Sequence, residues 1–266
     1  MERLLVLTLS SQGCSAEAVL NGIPVAATPA SGGHCCLPVH EFTLTGKNRI
    51  ELVYGCPIPG QAREPQPRTA TGPVWARAKL LLVRMGRSPV DETARQLADV
   101  GWSAPTDKSF EVPGVLAREV ELPVNFPRWK WLEAPAMTLN ATSRRQILEF
   151  LQQLALDLGR GHPDNLIAAA RLRFDELALA YQLTPAEAVQ RFRDQLQRLF
   201  TAKALTVVSP LAEESVLRPI LDDRLIECLT PLGGPLLRTQ NANPALGNVA
   251  WPMRLALVEG RIYVLR

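Results

Sequence analysis

Residues 143–200 constrain the fold more than any other part of the sequence, because they form its one long segment with a sustained helical period. Apolar side chains recur there every three or four residues, whereas short β-prone runs lie on both sides of the segment. The segment predicts three amphipathic helices, each of which must cover an apolar surface. The change of period near Ser143 predicts two domains, residues 1–135 and residues 136–266.

Local signals predict where these helices begin and end. Ser143 and Gln146 match a capping box, in which each side chain accepts a free backbone N–H. Gly159 is suited to a left-handed C-terminal stop, and Pro163 to the first turn of the next helix. A second capping box beginning at Thr184 predicts the start of the third helix.

Charge and hydropathy exclude several classes of partner. The 29 basic and 26 acidic residues give a formal net charge of only +3, and the basic residues do not cluster. Nucleic acid is therefore not expected as a partner, because phosphate binding needs basic residues concentrated on one surface. No apolar run reaches the ~18–20 residues of a membrane span. Residues 4–9 favour an opening strand over a signal peptide, so a cytoplasmic location is expected.

The first half of the sequence predicts an antiparallel β-sandwich. Short β-prone runs alternate with turn residues, and Asn21-Gly22 between apolar runs is a strong hairpin signal. Residues 41–44 and 49–54 alternate as strands do. Residues 57–73 are rich in Pro and Gly and predict a long loop. Residues 91–100 favour a short helix or an irregular connection.

The second half predicts an α+β domain. After the helices, the hydrophobic period changes to two, which predicts an antiparallel meander that includes strands at residues 205–208 and 249–258. Pro252 in the last of these is suited to an edge or a bulge. Helices followed by a meander indicate three helices packed on one face of a curved antiparallel sheet.

Residues 32–40 contain the most concentrated group of metal-ligating side chains. Cys35, Cys36 and two histidines lie there, and thiolate and imidazole are ligands that zinc prefers. Neighbouring Cys35 and Cys36 point to opposite faces of an extended chain, and no Cys-x-x-Cys pair is present. Buried free cysteines are therefore favoured over a metal site, and neither a metal nor another cofactor is expected.

Arg128-Trp129-Lys130-Trp131 ends the first half with basic and aromatic residues in alternation. Such a pattern can stack on bases or sugars. We favour the alternative that both Trp side chains are buried at the joint between the two predicted domains, because aromatic residues bury large areas.

Two patterns resemble known families. Residues 19–25, with their Asn-Gly turn, and the strand entry at residues 46–52 resemble a galactose-binding-like β-sandwich. The order of three helices and a sheet, with the closing hairpin of residues 254–265, resembles the ketosteroid-isomerase-like (nuclear-transport-factor-like) cone. That second resemblance implies a pocket between sheet and helices, where the family places acid–base residues. His162 is the one histidine of this half, and its place at a helix start does not fit that role.

Four residues are candidates for ligand binding: Tyr181, Glu227, Trp251 and Arg254. Tyr181 is a polar-tipped residue on an apolar helix face, although a buried tyrosine more often bonds to nearby backbone. Glu227 alternates with apolar neighbours. It either lies inward, where it must be paired, or is solvated while Ile226 and Cys228 face inward, which we favour. Trp251 and Arg254 could line a sheet end.

The sequence favours a non-enzymatic protein that binds a small apolar or sugar-like ligand, or a protein partner that includes a second copy of the chain. No catalytic residue is assigned, because no nucleophile motif or phosphate-binding loop is present. Two alternatives stay open. One is a small-molecule isomerase or dehydratase with its pocket in the second half, built around Tyr181 and Glu227. The other is a carbohydrate-binding module.

Overall fold

A computed structural model describes residues 2–56, 64–90 and 93–266 of the chain. In these residues the protein consists mainly of antiparallel sheets, with four α-helices. The described chain up to Arg128 forms one compact unit, and residues 129–266 form another. The predicted domain boundaries, 1–135 and 136–266, stay a prediction.

The first unit is built from two four-stranded antiparallel sheets, whose orders are β4-β1-β7-β8 and β10-β5-β2-β3, and from the two-stranded pair β6-β9. The described strands are β1 (Arg3–Gln12), β2 (Ala16–Leu20), β3 (Ile23–Thr28), β4 (Gly32–Pro38), β5 (Gly46–Tyr54), β6 (Gln66–Thr69), β7 (Val74–Arg84), β8 (Arg95–Ala104), β9 (Ser109–Val112) and β10 (Gly114–Leu122).

Strand β1 shows how the two faces of its sheet differ. Leu5, Leu7 and Leu9 are fully buried, whereas Thr8 and Ser10, which flank Leu9, are half-buried. Successive side chains of a strand point to opposite faces, so one face of the sheet is apolar and the other is largely polar.

The hairpin predicted at Asn21-Gly22 is confirmed. It joins β2 to β3, and both residues have positive φ, 53° and 81°. The Asn21 side chain also fixes the turn, because its Nδ2 donates to Phe42 O and to Asn48 Oδ1, each at 2.8 Å. Asparagine and glycine tolerate this conformation better than other residues, which is why the dipeptide is so informative.

Three predictions for the first unit need correction. Residues 91–100 were expected to be helical or irregular, but the chain from Arg95 onward is strand β8. Residues 41–44 were expected to be a strand, but His40–Phe42 form a 3₁₀ turn in which the buried His40 accepts a hydrogen bond from Leu5 N. Of the predicted loop 57–73, residues 57–63 lie outside the described residues, and Gln66–Thr69 form strand β6.

The second unit begins with four helices: α1 (Ala141–Gly159), α2 (Asp164–Ala169), α3 (Arg171–Tyr181) and α4 (Pro185–Thr201). The predicted second helix is two helices, because the backbone leaves helical geometry at Ala170. The cap of α1 is Asn140 and not Ser143, and the left-handed glycine after α1 is Gly161 and not Gly159. The capping box at Thr184 is confirmed.

The strands of the second unit follow the helices. They are β11 (Val216–Ile220), β12 (Leu225–Leu229), β13 (Leu237–Arg238), β14 (Ala250–Trp251), β15 (Arg254–Val258) and β16 (Arg261–Val264). The antiparallel sheet has the order β11-β12-β15-β16, and β13 pairs with β14. The strand predicted at 249–258 is thus two strands, which separate at Pro252. Of the strand predicted at 205–208, Val207 makes one bridge to Thr239.

One apolar core in the second unit joins helices to sheet. Ile147, Leu151 and Leu158 of α1 belong to the same buried cluster as Ile226 of β12 and Leu255 of β15. The amphipathic helices therefore cover one face of this sheet, as their hydrophobic period predicts. None of the described helices is long and apolar enough to cross a membrane.

Candidate binding cleft

Glu227 lies at the centre of the sheet in the second unit, between two arginines on the neighbouring strands. Arg218 of β11 and Arg254 of β15 are its direct cross-strand partners. Arg218 Nε donates to Glu227 Oε2 at 2.9 Å, and Arg254 Nε donates to Oε1 at 3.1 Å. We call these three residues the buried ladder, because Glu227 is only 5% exposed and Arg254 only 8% exposed.

The favoured interpretation of Glu227 as a solvated residue is therefore wrong. Ile226 and Cys228 do face the core, but every residue of β12 is buried, so both faces of this strand are covered. Burial also raises the pKa of the Cys228 thiol far above its usual range. Because arginine donors occupy both oxygens of Glu227, neither oxygen can accept a proton from a ligand without breaking an ion pair.

The other two candidate residues, Trp251 and Tyr181, lie elsewhere in the second unit. Trp251 is in the apolar core, on a strand that pairs with Leu237. Tyr181 is half-buried and is the last residue of α3. Of the four candidates, Glu227 and Arg254 are the pair that the structure brings into contact.

The cysteines of residues 32–40 lie on β4. Cys36 is exposed and Cys35 is half-buried, so the interpretation of both as buried thiols is wrong. Burial raises the pKa of both thiols, and the two cysteines that are buried are Cys14 and Cys228. In the part of the chain that the structure describes, no group of three or more His, Cys, Asp or Glu side chains is placed to hold a metal ion.

Trp129 and Trp131 are both fully buried, so neither indole face is open to a ligand. The Arg266 guanidinium lies 5.7 Å from the centre of each of these two rings. Arg266 Nη1 also donates to Glu176 Oε2 at 2.6 Å, and Glu176 is itself buried. The segment therefore packs inside the second unit, as expected of buried aromatic residues, and the predicted joint between domains stays a prediction.

The strongest candidate site lies instead on the polar face of the sheet β4-β1-β7-β8. A cleft of about 750 Å³ opens there, and we call it the outer-face cleft. Its polar lining includes Thr8, Ser10, His34, Trp75, Arg77 and Lys79. Leu81, Pro89, Val90 and Ala94 make one end of the cleft apolar. The volume lies in the range of small-molecule sites, ~300–1,000 Å³.

The register of the four strands aligns these side chains in rows. From β4 to β8 the rows are Gly32, Gln12, Trp75 and Ser103; His34, Ser10, Arg77 and Gly101; and Cys36, Thr8, Lys79 and Asp99. Residues that are opposite each other in neighbouring strands have Cβ atoms ~4.5–5.5 Å apart. Each row can therefore present several polar groups to one ligand.

Contacts within the rows fix the orientation of these side chains. Trp75 Nε1 donates to Gln12 Oε1 at 3.1 Å, and Ser10 Oγ lies 2.8 Å from His34 Nδ1. Arg77 Nε donates to Asp99 Oδ1 at 2.7 Å, and Arg77 Nη2 bonds to the other carboxylate oxygen. The Arg77 guanidinium, aided by the charges of two further basic side chains, holds the pKa of Asp99 below its usual value.

The sequence contains a signal for this cleft. Polar residues alternate in β1 at Thr8, Ser10 and Gln12, and in β7 at Arg77 and Lys79. Such alternation predicts a polar face on each strand, but only the strand order shows that these faces adjoin.

Comparison of the chain with protein-family models, with curated proteins and with solved structures found no match.

Proposed function

We propose that this protein is a non-enzymatic binding protein whose ligand is a saccharide held in the outer-face cleft. In this proposal residues 1–135 form a β-sandwich domain that carries the cleft, and residues 136–266 form an α+β domain. The observation that carries the proposal is the composition of the cleft floor. One indole, held at its edge by Gln12, lies beside rows of hydrogen-bonding side chains.

A saccharide matches this floor in two respects. The C–H face of a sugar ring is apolar and stacks on an aromatic face such as that of Trp75, while its hydroxyl groups donate and accept hydrogen bonds at the edge of the ring. Ser10 and His34 can do both, and Lys79 donates. Because Arg77 is already held by Asp99, it can contact a hydroxyl with little loss of side-chain entropy.

The apolar end of the cleft supports the same class of ligand. Leu81 is packed with Val6 and Val83 in a small cluster on this face, with Ala94 against it. A ligand site with an apolar wall and a few convergent polar groups is the usual design for a small polar molecule. The resemblance of residues 19–25 and 46–52 to a galactose-binding-like sandwich agrees with the proposal but supplies no site residue.

The alternative of an isomerase or dehydratase in the second unit has less support. General acid–base catalysis needs a titratable group within hydrogen-bond reach of the ligand. Glu227 is engaged by two arginines, and Trp251 lies in the core. A hollow of about 340 Å³ does lie beside the start of α1, lined by Met137, Asn140 and Leu257 among others. None of the four candidate residues lines this hollow.

The proposal is tested with an array of malto-, cello-, xylo- and galacturonate oligosaccharides of one to six units. We expect the full chain to bind at least one series, and Trp75→Ala to weaken that binding at least tenfold. Phe200→Ala is the matched control, because Phe200 is a half-exposed aromatic residue of α4, outside the cleft. Its binding should equal that of the wild type.

Two results would overturn the proposal. One is that no saccharide binds, and the other is that Trp75→Ala binds as tightly as Phe200→Ala. A self-associating chain with no saccharide affinity would favour the protein-partner or homodimer alternative, which size-exclusion chromatography detects. The cytoplasmic location stays a prediction.

A further inference from the structure

A second hollow lies beside the outer-face cleft, on the side of β8. Its volume is about 380 Å³, and its lining includes Asp99, Gly101, Trp102 and Ser103. Trp75 and Arg77 line this hollow as well as the outer-face cleft. The two side chains therefore form a rib with a cavity on each side.

The absence of a side chain at Gly101 shapes this second hollow. Gly101 is directly opposite Arg77 in the strand register. A Cβ atom at Gly101 would lie 3.4 Å from Arg77 Cγ, so the aliphatic part of Arg77 lies over the glycine. A larger residue here would fill the space between the rib and β8.

Aromatic packing on the opposite face of β8 holds the strand beneath the second hollow, because Trp102 alternates with Gly101 and Ser103. The Trp102 ring is stacked on the Tyr54 ring, with centres 3.8 Å apart and planes 9° apart, and it packs at an angle against Phe110 at 5.1 Å. On the near side, Arg77 is held by its two contacts to Asp99. The strand beneath the hollow and the Arg77 side chain are therefore positioned before a ligand arrives, which lowers the entropic cost of binding.

We infer that the two hollows are adjacent subsites of one groove, and that the ligand is an oligosaccharide that crosses the Trp75–Arg77 rib. This inference rests on the proposed saccharide-binding function and extends it from a single sugar to a chain. One sugar unit stacks at Trp75 in the outer-face cleft, and the next units lie against Ser103 in the second hollow. A monosaccharide fills one subsite and gains none of the contacts of the other.

Isothermal titration calorimetry on the full chain tests the inference, with each malto-, cello-, xylo- or galacturonate series that the array identifies. We expect the Kd to fall at least tenfold from the monosaccharide to the tetrasaccharide and then to level off. The gain comes from occupying the second subsite without a second loss of translational freedom.

Gly101→Val fills the second hollow and isolates its contribution. The backbone at Gly101 does not have the positive φ that disfavours a β-branched residue. We expect this variant to lose the tenfold gain of the tetrasaccharide and to keep the monosaccharide affinity. Gly72→Val is the matched control, because a Cβ atom there meets nothing within 4 Å. If Gly101→Val does not fold, Ser103→Leu narrows the same hollow from an exposed position.

The outcomes separate the two proposals. Equal affinity for every chain length, or a loss in Gly101→Val that is the same for every length, overturns the extended groove and leaves saccharide binding standing. If no saccharide of any length binds, the proposed function itself fails.

Discussion

Charged side chains bridge neighbouring strands in both units, but their surroundings differ. In the first unit Arg77 and Asp99 pair at the surface of the sheet, where 53% of the Arg77 side chain and 15% of the Asp99 side chain are exposed. In the buried ladder of the second unit, the side chains of Arg218, Glu227 and Arg254 are 19%, 7% and 10% exposed. Arginine–carboxylate pairs thus join neighbouring strands both near solvent and in a buried setting.

Exposure to solvent determines how much each pair contributes to the stability of the fold. A pair in water contributes ~0–1 kcal/mol to folding, so its groups are free to be reused by a ligand. Removing one member of a buried pair costs ~3–5 kcal/mol, because the remaining charge is left without compensation. Loss of one member of the buried ladder should therefore destabilise the fold strongly, whereas loss of the Arg77–Asp99 pair should cost little.

The largest effect is expected from Glu227→Gln, which leaves Arg218 and Arg254 facing a neutral amide. We expect the free energy of unfolding to fall by about 3–5 kcal/mol. Denaturation in guanidinium chloride, followed by far-UV circular dichroism, measures it. A loss below about 1 kcal/mol would show that the buried ladder behaves like a surface pair, and the two units would not differ in this respect.

The next effect concerns two histidines that contact β1, the buried His40 and the exposed His34. Burial lowers the pKa of His40 to about 4, from an ordinary value of 6.5. Between these values the unfolded chain binds a proton that the folded chain does not. The resulting stability is complete above pH 6.5 and declines toward pH 4, by about 3 kcal/mol at ~1.4 kcal/mol per pH unit.

His40→Gln keeps an acceptor for Leu5 N–H and removes the titrating group. Urea denaturation at several pH values should show a smaller decline between pH 6.5 and 4 than in the wild type. His34→Gln serves as the control, and its free energy of unfolding should fall with pH as that of the wild type does. Should His40→Gln decline as steeply as the wild type, another group is responsible.

A third test concerns the packing behind the second hollow. A Cβ atom at Gly114 would overlap the Tyr54 ring, which is stacked on Trp102. Gly114→Ala should therefore cost about 1–3 kcal/mol by overpacking and change the near-UV circular dichroism of the aromatic pair. The control Gly72→Ala has open space and should stay within about 0.5 kcal/mol of the wild type. An unchanged near-UV spectrum for Gly114→Ala would mean that Tyr54 is not held in the stack.

The smallest effect is expected from Asp99→Asn, the counterpart of Glu227→Gln in a pair whose arginine is open to solvent. Its loss of stability should be below about 1 kcal/mol and should shrink further in 1 M salt, because surface pairs are screened. The same denaturation experiment measures it. A loss as large as that of Glu227→Gln would remove the distinction between the two pairs.

Features encoded within a few residues could be predicted from the sequence. The Asn21-Gly22 hairpin and the capping box at Thr184 are both confirmed, since each depends on neighbouring residues alone. By contrast, β8 was mistaken for a helix or an irregular segment, because Ala94, Leu97 and Ala98 have helical spacing. Pairing with β7 overrides that local pattern.

The candidate site depended on information that a single sequence does not contain. Ser10, His34, Arg77 and Gly101 come from four strands, and only the strand order makes them one row. Glu227 was misjudged for a related reason. Alternation assigns the faces of a strand, but it cannot tell that both faces of β12 are covered.

Cys36 lies in the lining of the outer-face cleft and is exposed, whereas Cys14 and Cys228 are buried. A maleimide dye should therefore react there first, at mildly alkaline pH since the pKa of this thiol is raised. An environment-sensitive fluorophore at Cys36 would report directly on the occupancy of the groove, and so provide an optical sensor for screening sugars.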